Sequence, residues 1–294
     1  MSQGTLRLYG DSFLAPAIGW EGKSWTTLLG EQLDIPVVNK SRAGSGTEYA
    51  FMQLANDIQH NVIQQKDIII FNTSFNGRLD LEFQLTTRPE TAALYLRKPE
   101  EFDKLNNSEN SNNHNWFHTN KEHIKWYVAH RDYNLIKLNY LAYVCTLKDY
   151  AATMPDTIFV ILHNLTPSCS IPGRLPLDNF LNPTISLQQI SNGELTGSKS
   201  IDWEQGFGSR YGSFVKHIGQ DPRINHLSTP NLNILKDLVF NSINDLTISN
   251  FGYDKFKTEL FDSLESIEDY KRYVDLGYLN YHPATEKKLL NLRT

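Results

Sequence analysis

The unbroken apolar run Ile68-Ile69-Ile70-Phe71, opened by Asp67, constrains this chain more than any other feature. Four successive apolar residues leave no polar face, so a strand made from them must be covered on both sides, as in a parallel sheet between helices. The neighbouring sequence supplies the other layers. Thr5 to Tyr9 reads as a short apolar strand, and Trp25 to Leu33 sets Trp25, Leu28, Leu29 and Leu33 on one helical face. Ile35 to Val38 reads as a second strand, followed by a helical stretch around Tyr49 to His60. From about Glu122 to Thr153, Ile124, Val128, Leu135, Leu138, Leu141, Ala142, Cys145 and Leu147 recur close to a 3.6-residue period. Pro155 ends that helix, and Asp156 to Leu162 follows as another buried strand. The expected fold class is α/β, with three layers in the order α/β/α.

Two stretches interrupt the alternation. The first, at about 79–121, contains the polar run Asn106 to Asn115, and the second, at about 166–220, is rich in Pro, Gly and Ser. Long connections of this kind inside a compact domain usually serve a binding rim or a lid, so both are read as rim insertions in a domain spanning 1–245. The tail, 246–294, reads as a helical extension with many Tyr and Lys. No internal repeat is visible.

Charge and residue usage exclude several functions. A net charge of −5 and a pI near 6.0 give no basic face for a nucleic-acid partner. No apolar run approaches the roughly 18 residues of a membrane span, and Met1 to Thr5 leads into a strand without a charged and then apolar leader. The expectation is a soluble protein made without a secretion signal and without a membrane partner. Cys145 and Cys169 form neither a disulfide framework nor a zinc-ligand pair. His114, His118 and His123 stand on a poor helix-forming segment and read as loop histidines, not metal ligands. Gly44-x-Gly46-x-x-Ala50 superficially fits a dinucleotide fingerprint, but Gly44 comes several residues after Val38 and Asp67 begins the next strand instead of ending it. No cofactor and no metal are expected.

Four short segments carry the chemistry. Gly10-Asp11-Ser12 follows the first strand and is succeeded by Phe13-Leu14; Asn39-Lys40-Ser41-Arg42-Ala43-Gly44 follows the second. Ser74-Phe75-Asn76-Gly77 comes seven residues after Asp67, and Asn225-His226-Leu227-Ser228-Thr229-Pro230-Asn231 runs into Ile234, Leu235 and Leu238. Loops leaving the carboxyl ends of parallel strands converge on one edge of the sheet, so residues this far apart can share a crevice. Each segment alone is ordinary. Gly, Asp and Ser all favour turns, Asn39 and Asn76 suit strand-end caps, and His226 suits the approach to a helix. Taken in this order over about residues 5–240, they resemble the blocks of the SGNH, or GDSL-type, hydrolase family. That resemblance implies a flavodoxin-like parallel sheet of the SGNH hydrolase type. It also implies a serine esterase.

Under the same resemblance Ser12 is the nucleophile and His226 the base. A hydroxyl must give up its proton as it attacks a carbonyl, and imidazole is the ordinary acceptor near neutral pH. The resemblance assigns the oxyanion hole to the backbone N–H groups of Ser12 and Gly44 and the side-chain amide of Asn76. The family's acid stands three residues before the histidine, where this chain has Arg223, and the nearest acid is Asp221. Three readings stay open: Asp221 reaches back across Pro222, a backbone carbonyl orients His226 in a Ser–His dyad, or the site is inactive. His282, in Tyr281-His282-Pro283-Ala284, competes for the role of base, although Leu289 and Leu290 arrive one residue early for that block.

The substrate expectation rests on aromatic rings. Trp116, Phe117, Trp126, Trp203, Phe207 and Tyr211 lie in or beside the two insertions, and flat rings suit sugar faces. They equally suit packing of the insertions on the core. The expected function is hydrolysis of a carboxylic ester, an O-acetyl group on a glycan or a small-molecule ester, through an acyl-enzyme on Ser12. The rival is a catalytically weak or inactive structural or glycan-binding protein on the same scaffold. The Asn-rich, Pro-broken style and the altered third and fourth blocks resemble phage-encoded members of the family. That implies a host cytoplasm or a virion, with a second copy of the chain or a virion protein as partner.

Overall fold

The computed structural model describes residues 4–16, 23–43, 45–74, 79–81, 90–92, 133–164, 176–196, 222–223, 226–248, 250–262, 264 and 266–291. Five strands form an all-parallel sheet: β1 (Leu6–Tyr9), β2 (Val37–Asn39), β3 (Ile68–Thr73), β6 (Ile158–His163) and β7 (Phe180–Leu181), in the spatial order β2-β1-β3-β6-β7. β4 (Leu79–Leu81) and β5 (Glu90–Ala92) make a separate antiparallel pair. The helices among the described residues are α1 (Trp25–Leu33), α2 (Thr47–Gln59), α3 (Tyr133–Thr153), α4 (Leu187–Gly193), α5 (Thr229–Asp245), α6 (Ile267–Asp275) and α7 (Pro283–Asn291).

The apolar runs are continuous because both faces of the sheet are covered. Successive side chains of a strand point to opposite faces. Leu6, Leu8, Ile68, Ile70, Val160 and Leu162 therefore share one face, where Trp25 and Leu29 of α1 and Leu232, Leu235 and Val239 of α5 join them. Tyr9, Ile69, Phe71, Phe159 and Ile161 share the other, against Ala50 and Leu54 of α2 and Leu147 and Ala151 of α3. Helices thus pack on both sides of the sheet, and the strand order is compatible with a flavodoxin-like fold. In such an order the chain leaves β1 toward one edge and β3 toward the other, so a crevice opens at their carboxyl ends.

Three expectations meet a different outcome. The second strand begins at Val37, because Pro36 lacks an N–H and uses its carbonyl to accept the Leu6 N–H at 2.9 Å. The helix expected from Tyr49 begins at Thr47, directly after Gly46. The stretch 166–220 is not wholly an insertion. Its residues Phe180 and Leu181 pair with Phe159 and Val160 as the fifth strand, and Leu181, Ile185, Leu187 and Ile190 are buried in the main core. A two-residue strand carries no period, so nothing in the sequence marks it. Within 79–121 the described residues are the β4 and β5 pair.

The C-terminal tail is built into the molecule. Phe256 is buried in the main core with Ile248 and Phe251 against it. A second cluster joins Phe261, Leu264, Ile267, Tyr270, Tyr273, Leu279 and Leu289 to Leu195, the residue beside the end of α4. Cys145 is half-buried, whereas Cys169 lies outside the described residues.

His163, at the carboxyl end of β6, is fully buried. Its Nε2 lies 2.6 Å from Asn182 Oδ1, so that nitrogen carries the proton, and Nδ1 accepts from the Tyr140 hydroxyl at 2.6 Å. Burial lowers its pKa from 6.5 to about 4, opposed by the hydrogen bond to Asn182. A pKa depressed in the folded state means that stability is whole above pH 6.5 and is lost as the pH falls toward 4. At 1.36 kcal/mol per unit the loss is about 3 kcal/mol. Denaturant midpoints measured from pH 7 to pH 4 check this: His163→Gln should flatten the decline, and an equally steep decline would assign it to other groups.

Candidate active site

The turn that leaves β1 is organised around Ser12 by its neighbour Asp11. The Asp11 carbonyl accepts the N–H groups of Leu14 and Ala15 at 3.1 and 2.9 Å, and its side-chain Oδ1 accepts the Phe13 N–H at 3.0 Å. An aspartate that bonds the backbone two residues on is a standard turn former. Gly10 is required by close approach, since a Cβ there would stand 2.8 Å from Cβ of Asn72 and 3.0 Å from Leu14 Cδ1.

Asp11 also ties three strand ends together. It is fully buried. Besides Phe13, Oδ1 accepts from Asn72 Nδ2 at 2.7 Å, while Oδ2 accepts from Asn164 Nδ2 at 2.5 Å and lies 2.9 Å from Ser74 Oγ. Asn72 and Ser74 stand at the end of β3 and Asn164 at the end of β6. The Phe13 N–H and the Asn72 and Asn164 amide nitrogens can only donate, so the Asp11 side chain is their shared acceptor. The result is a rigid floor beneath the Ser12 turn.

His226 meets that turn from the other end of the chain. Its Nε2 is 2.9 Å from Ser12 Oγ, across a sequence separation of 214 residues. Both residues are half-buried and so remain reachable from solvent. The imidazole lies against the buried Phe13 ring, with centroids 5.2 Å apart and planes tilted by 51°. The Phe13 carbonyl accepts the Trp25 indole N–H at 3.0 Å, which ties the turn to α1. His226 has φ of 63°, in the left-handed region that non-glycine residues occupy only when their surroundings impose it. Two residues later Ser228 caps α5, its hydroxyl accepting the Asn231 N–H.

Of the remaining residues expected at the site, Gly44, Asn76 and Asp221 lie outside the described residues, as do His114, His118, His123 and the six aromatic residues assigned to the insertions. Asn39 is a strand-end cap: its Nδ2 donates to the Leu14 carbonyl at 2.7 Å and its Oδ1 accepts the Ser41 N–H at 2.9 Å. His282 sits in the C-terminal extension, where its N–H donates to the Tyr270 hydroxyl. The imidazole in contact with Ser12 is that of His226.

Two further residues acquire partners. Ser74, in the third of the four segments, places its hydroxyl between Asp11 Oδ2 and the Ser45 carbonyl, at 2.9 and 2.8 Å. Arg223, where an aspartate was expected, is buried and pairs with Glu194 at 2.8 Å. Neither Glu194 nor the Asn72 and Asn164 amides stood out in the sequence, because the contacts that define them span 29 to 153 residues.

A cleft of about 300 Å³ opens between the starts of α1 and α5, lined by apolar Trp25, Leu28 and Leu232 and by polar Lys23, Thr229, Asn233 and Asn280. Among the described residues no cluster of His, Cys, Asp or Glu is arranged to hold a metal ion. No helix among them is long and apolar enough to cross a membrane. No protein-family model matches this chain, and no curated protein matches it.

Proposed function

We propose that the chain is a serine esterase of the SGNH type, hydrolysing a carboxylic ester through an acyl-enzyme on Ser12. The observation that carries this reading is the 2.9 Å contact between Ser12 Oγ and His226 Nε2 at the carboxyl edge of a parallel sheet. A hydroxyl hydrogen-bonded to imidazole on a tightly braced turn is the arrangement that nucleophilic acyl transfer requires.

In the proposed reaction Ser12 Oγ bonds to the ester carbonyl carbon while His226 Nε2 takes its proton. The carbonyl electron pair moves to oxygen. Collapse of this intermediate breaks the bond to the leaving alkoxide, which receives the proton from His226, and the acyl group stays on Ser12. Water then bonds to the acyl carbon while giving a proton to His226; the bond to Ser12 Oγ breaks, Ser12 Oγ takes that proton back, and the acid is released. The developing oxyanion needs preorganised donors, and the Ser12 N–H, the Gly44 N–H and the Asn76 amide are proposed for that role on the family resemblance. An O-acetylated glycan is the proposed substrate, supported by the aromatic residues of the two insertions.

A fluorophosphonate probe tests the reading directly, because it reacts with an activated serine. Labelling located on Ser12 by mass spectrometry is the expected result. Absence of labelling would favour the second reading, a glycan-binding scaffold without turnover, which the arginine at position 223 supports.

A further inference from the structure

One buried carboxylate grips both stems of the turn that presents His226. Glu194 follows α4 and is fully buried. Its Oε1 accepts the Ser228 N–H at 2.8 Å and Asn231 Nδ2 at 2.7 Å, and its Oε2 accepts Arg223 Nη1 at 2.8 Å. Arg223 stands three residues before His226 and Ser228 two after it, so a single side chain fixes the entry and the exit of the turn. The same Nη1 donates to the Ser191 carbonyl at 2.6 Å, anchoring Arg223 to α4. Asn231 is locked in turn by Lys257, exchanging Nδ2 to carbonyl and N–H to Oδ1 bonds at 2.9 and 2.8 Å. Between these two fixed points the Arg223 carbonyl faces the His226 N–H at 3.4 Å, and His226 takes its left-handed φ of 63°.

Burial holds the Glu194 carboxyl above its ordinary pKa, an effect that Arg223, the Ser228 N–H and the Asn231 amide oppose only in part. Its contacts are all donors, which suits the charged form. Such a pair is a poor source of stability, since desolvating two ions costs about what their attraction returns. Its contacts hold the chain on both sides of an imidazole that must stay within hydrogen-bond reach of Ser12, which points to another role.

We propose that Glu194 and Arg223 are positioning residues for His226, fixing the chain on both sides of it by a buried ion pair where the hydrolases this chain resembles orient the imidazole with an aspartate. This rests on the reading of Ser12 and His226 as nucleophile and base. It makes the arginine at 223 one half of a brace and not the mark of a lost acid. A positioning role predicts a loss in turnover without a comparable change in substrate affinity, because misplacement of a base by about 1 Å costs on the order of 10²-fold.

The test uses the full chain with three forms: wild type, Glu194→Gln, and the double variant Glu194→Met with Arg223→Met. Replacing both ions by apolar groups of similar volume commonly leaves a fold intact. The double variant also takes the acceptor from the Ser228 N–H, so its thermal midpoint should fall by roughly 2–10 °C with the fold kept; for p-nitrophenyl acetate KM should stay within about twofold, while kcat and the rate of fluorophosphonate labelling fall roughly 10- to 100-fold. Glu194→Gln keeps an oxygen for the Ser228 N–H and should lose less. A folded double variant with wild-type kcat would overturn the positioning role and leave the esterase intact. Should the double variant not fold, unchanged kcat in Glu194→Gln would overturn it equally. No labelling of the wild type would overturn both proposals together.

Discussion

Ser12→Ala is expected to lower ester turnover by roughly 10⁴- to 10⁶-fold while leaving the protein folded. The substitution removes the oxygen that would carry the acyl group, and no neighbouring hydroxyl takes its place: Ser45 Oγ is committed to the Gly10 and Arg42 carbonyls and Ser74 Oγ to Asp11 and the Ser45 carbonyl. The stability change should stay within about 1 kcal/mol, the net worth of one hydrogen bond, because the turn itself is held by Asp11 and by the Phe13, Leu14 and Ala15 N–H groups. Turnover of p-nitrophenyl acetate and a thermal midpoint measure the two effects. His226→Ala should match Ser12→Ala, and combining them should add little, since residues acting as one unit are not additive. Activity retained in Ser12→Ala would move the nucleophile elsewhere.

Asp11→Ala should be the most damaging change to the fold near the site, destabilising by about 3–5 kcal/mol. Four buried donors lose an acceptor at once; Ser74 Oγ keeps the Ser45 carbonyl and Asn72 Nδ2 keeps Asn164 Oδ1, but the Phe13 N–H and Asn164 Nδ2 lose theirs outright, and each buried donor left without a partner costs about 1–3 kcal/mol. Asp11→Asn should cost about half as much. Asn72 Oδ1 has no hydrogen-bond partner among the described residues, so its amide can turn that oxygen toward the N–H₂ group introduced at position 11. Both variants should also lose turnover, because the floor of the Ser12 turn is the thing removed. Urea denaturation at pH 7 decides: an Ala variant within 1 kcal/mol of wild type would mean that Asp11 does not bind the strand ends together.

Much of the layering was legible from local pattern. The Ile68 to Phe71 run, the Trp25 to Leu33 face and the buried Asp156 to Leu162 segment each state in their own residues that they need cover on one or both sides, and the sheet with helices on both faces follows from burial. The order of Ser12, Asn39 and His226 along the chain, each near the end of a strand or the start of a helix, was legible in the same way. What was not legible is every contact whose partner is remote and whose own neighbourhood is unremarkable. Phe180 and Leu181 are too few to show a period, and only pairing with Phe159 and Val160 makes them a strand.

Arg223 shows the same limit from the side of chemistry. Read in sequence it is a missing aspartate; in the folded chain it meets Glu194, 29 residues earlier, with both side chains fully removed from water. The amino-acid sequence by itself determined an α/β chain with apolar strands wrapped by helices, because hydrophobic periodicity is a property of neighbours. Tertiary structure alone decided that the imidazole of residue 226 meets the hydroxyl of residue 12, that Asp11 is a buried hub and that Arg223 has an ion-pair partner. Hydrogen bonds and ion pairs act over about 3 Å of space, and no local pattern encodes which distant residue will arrive there.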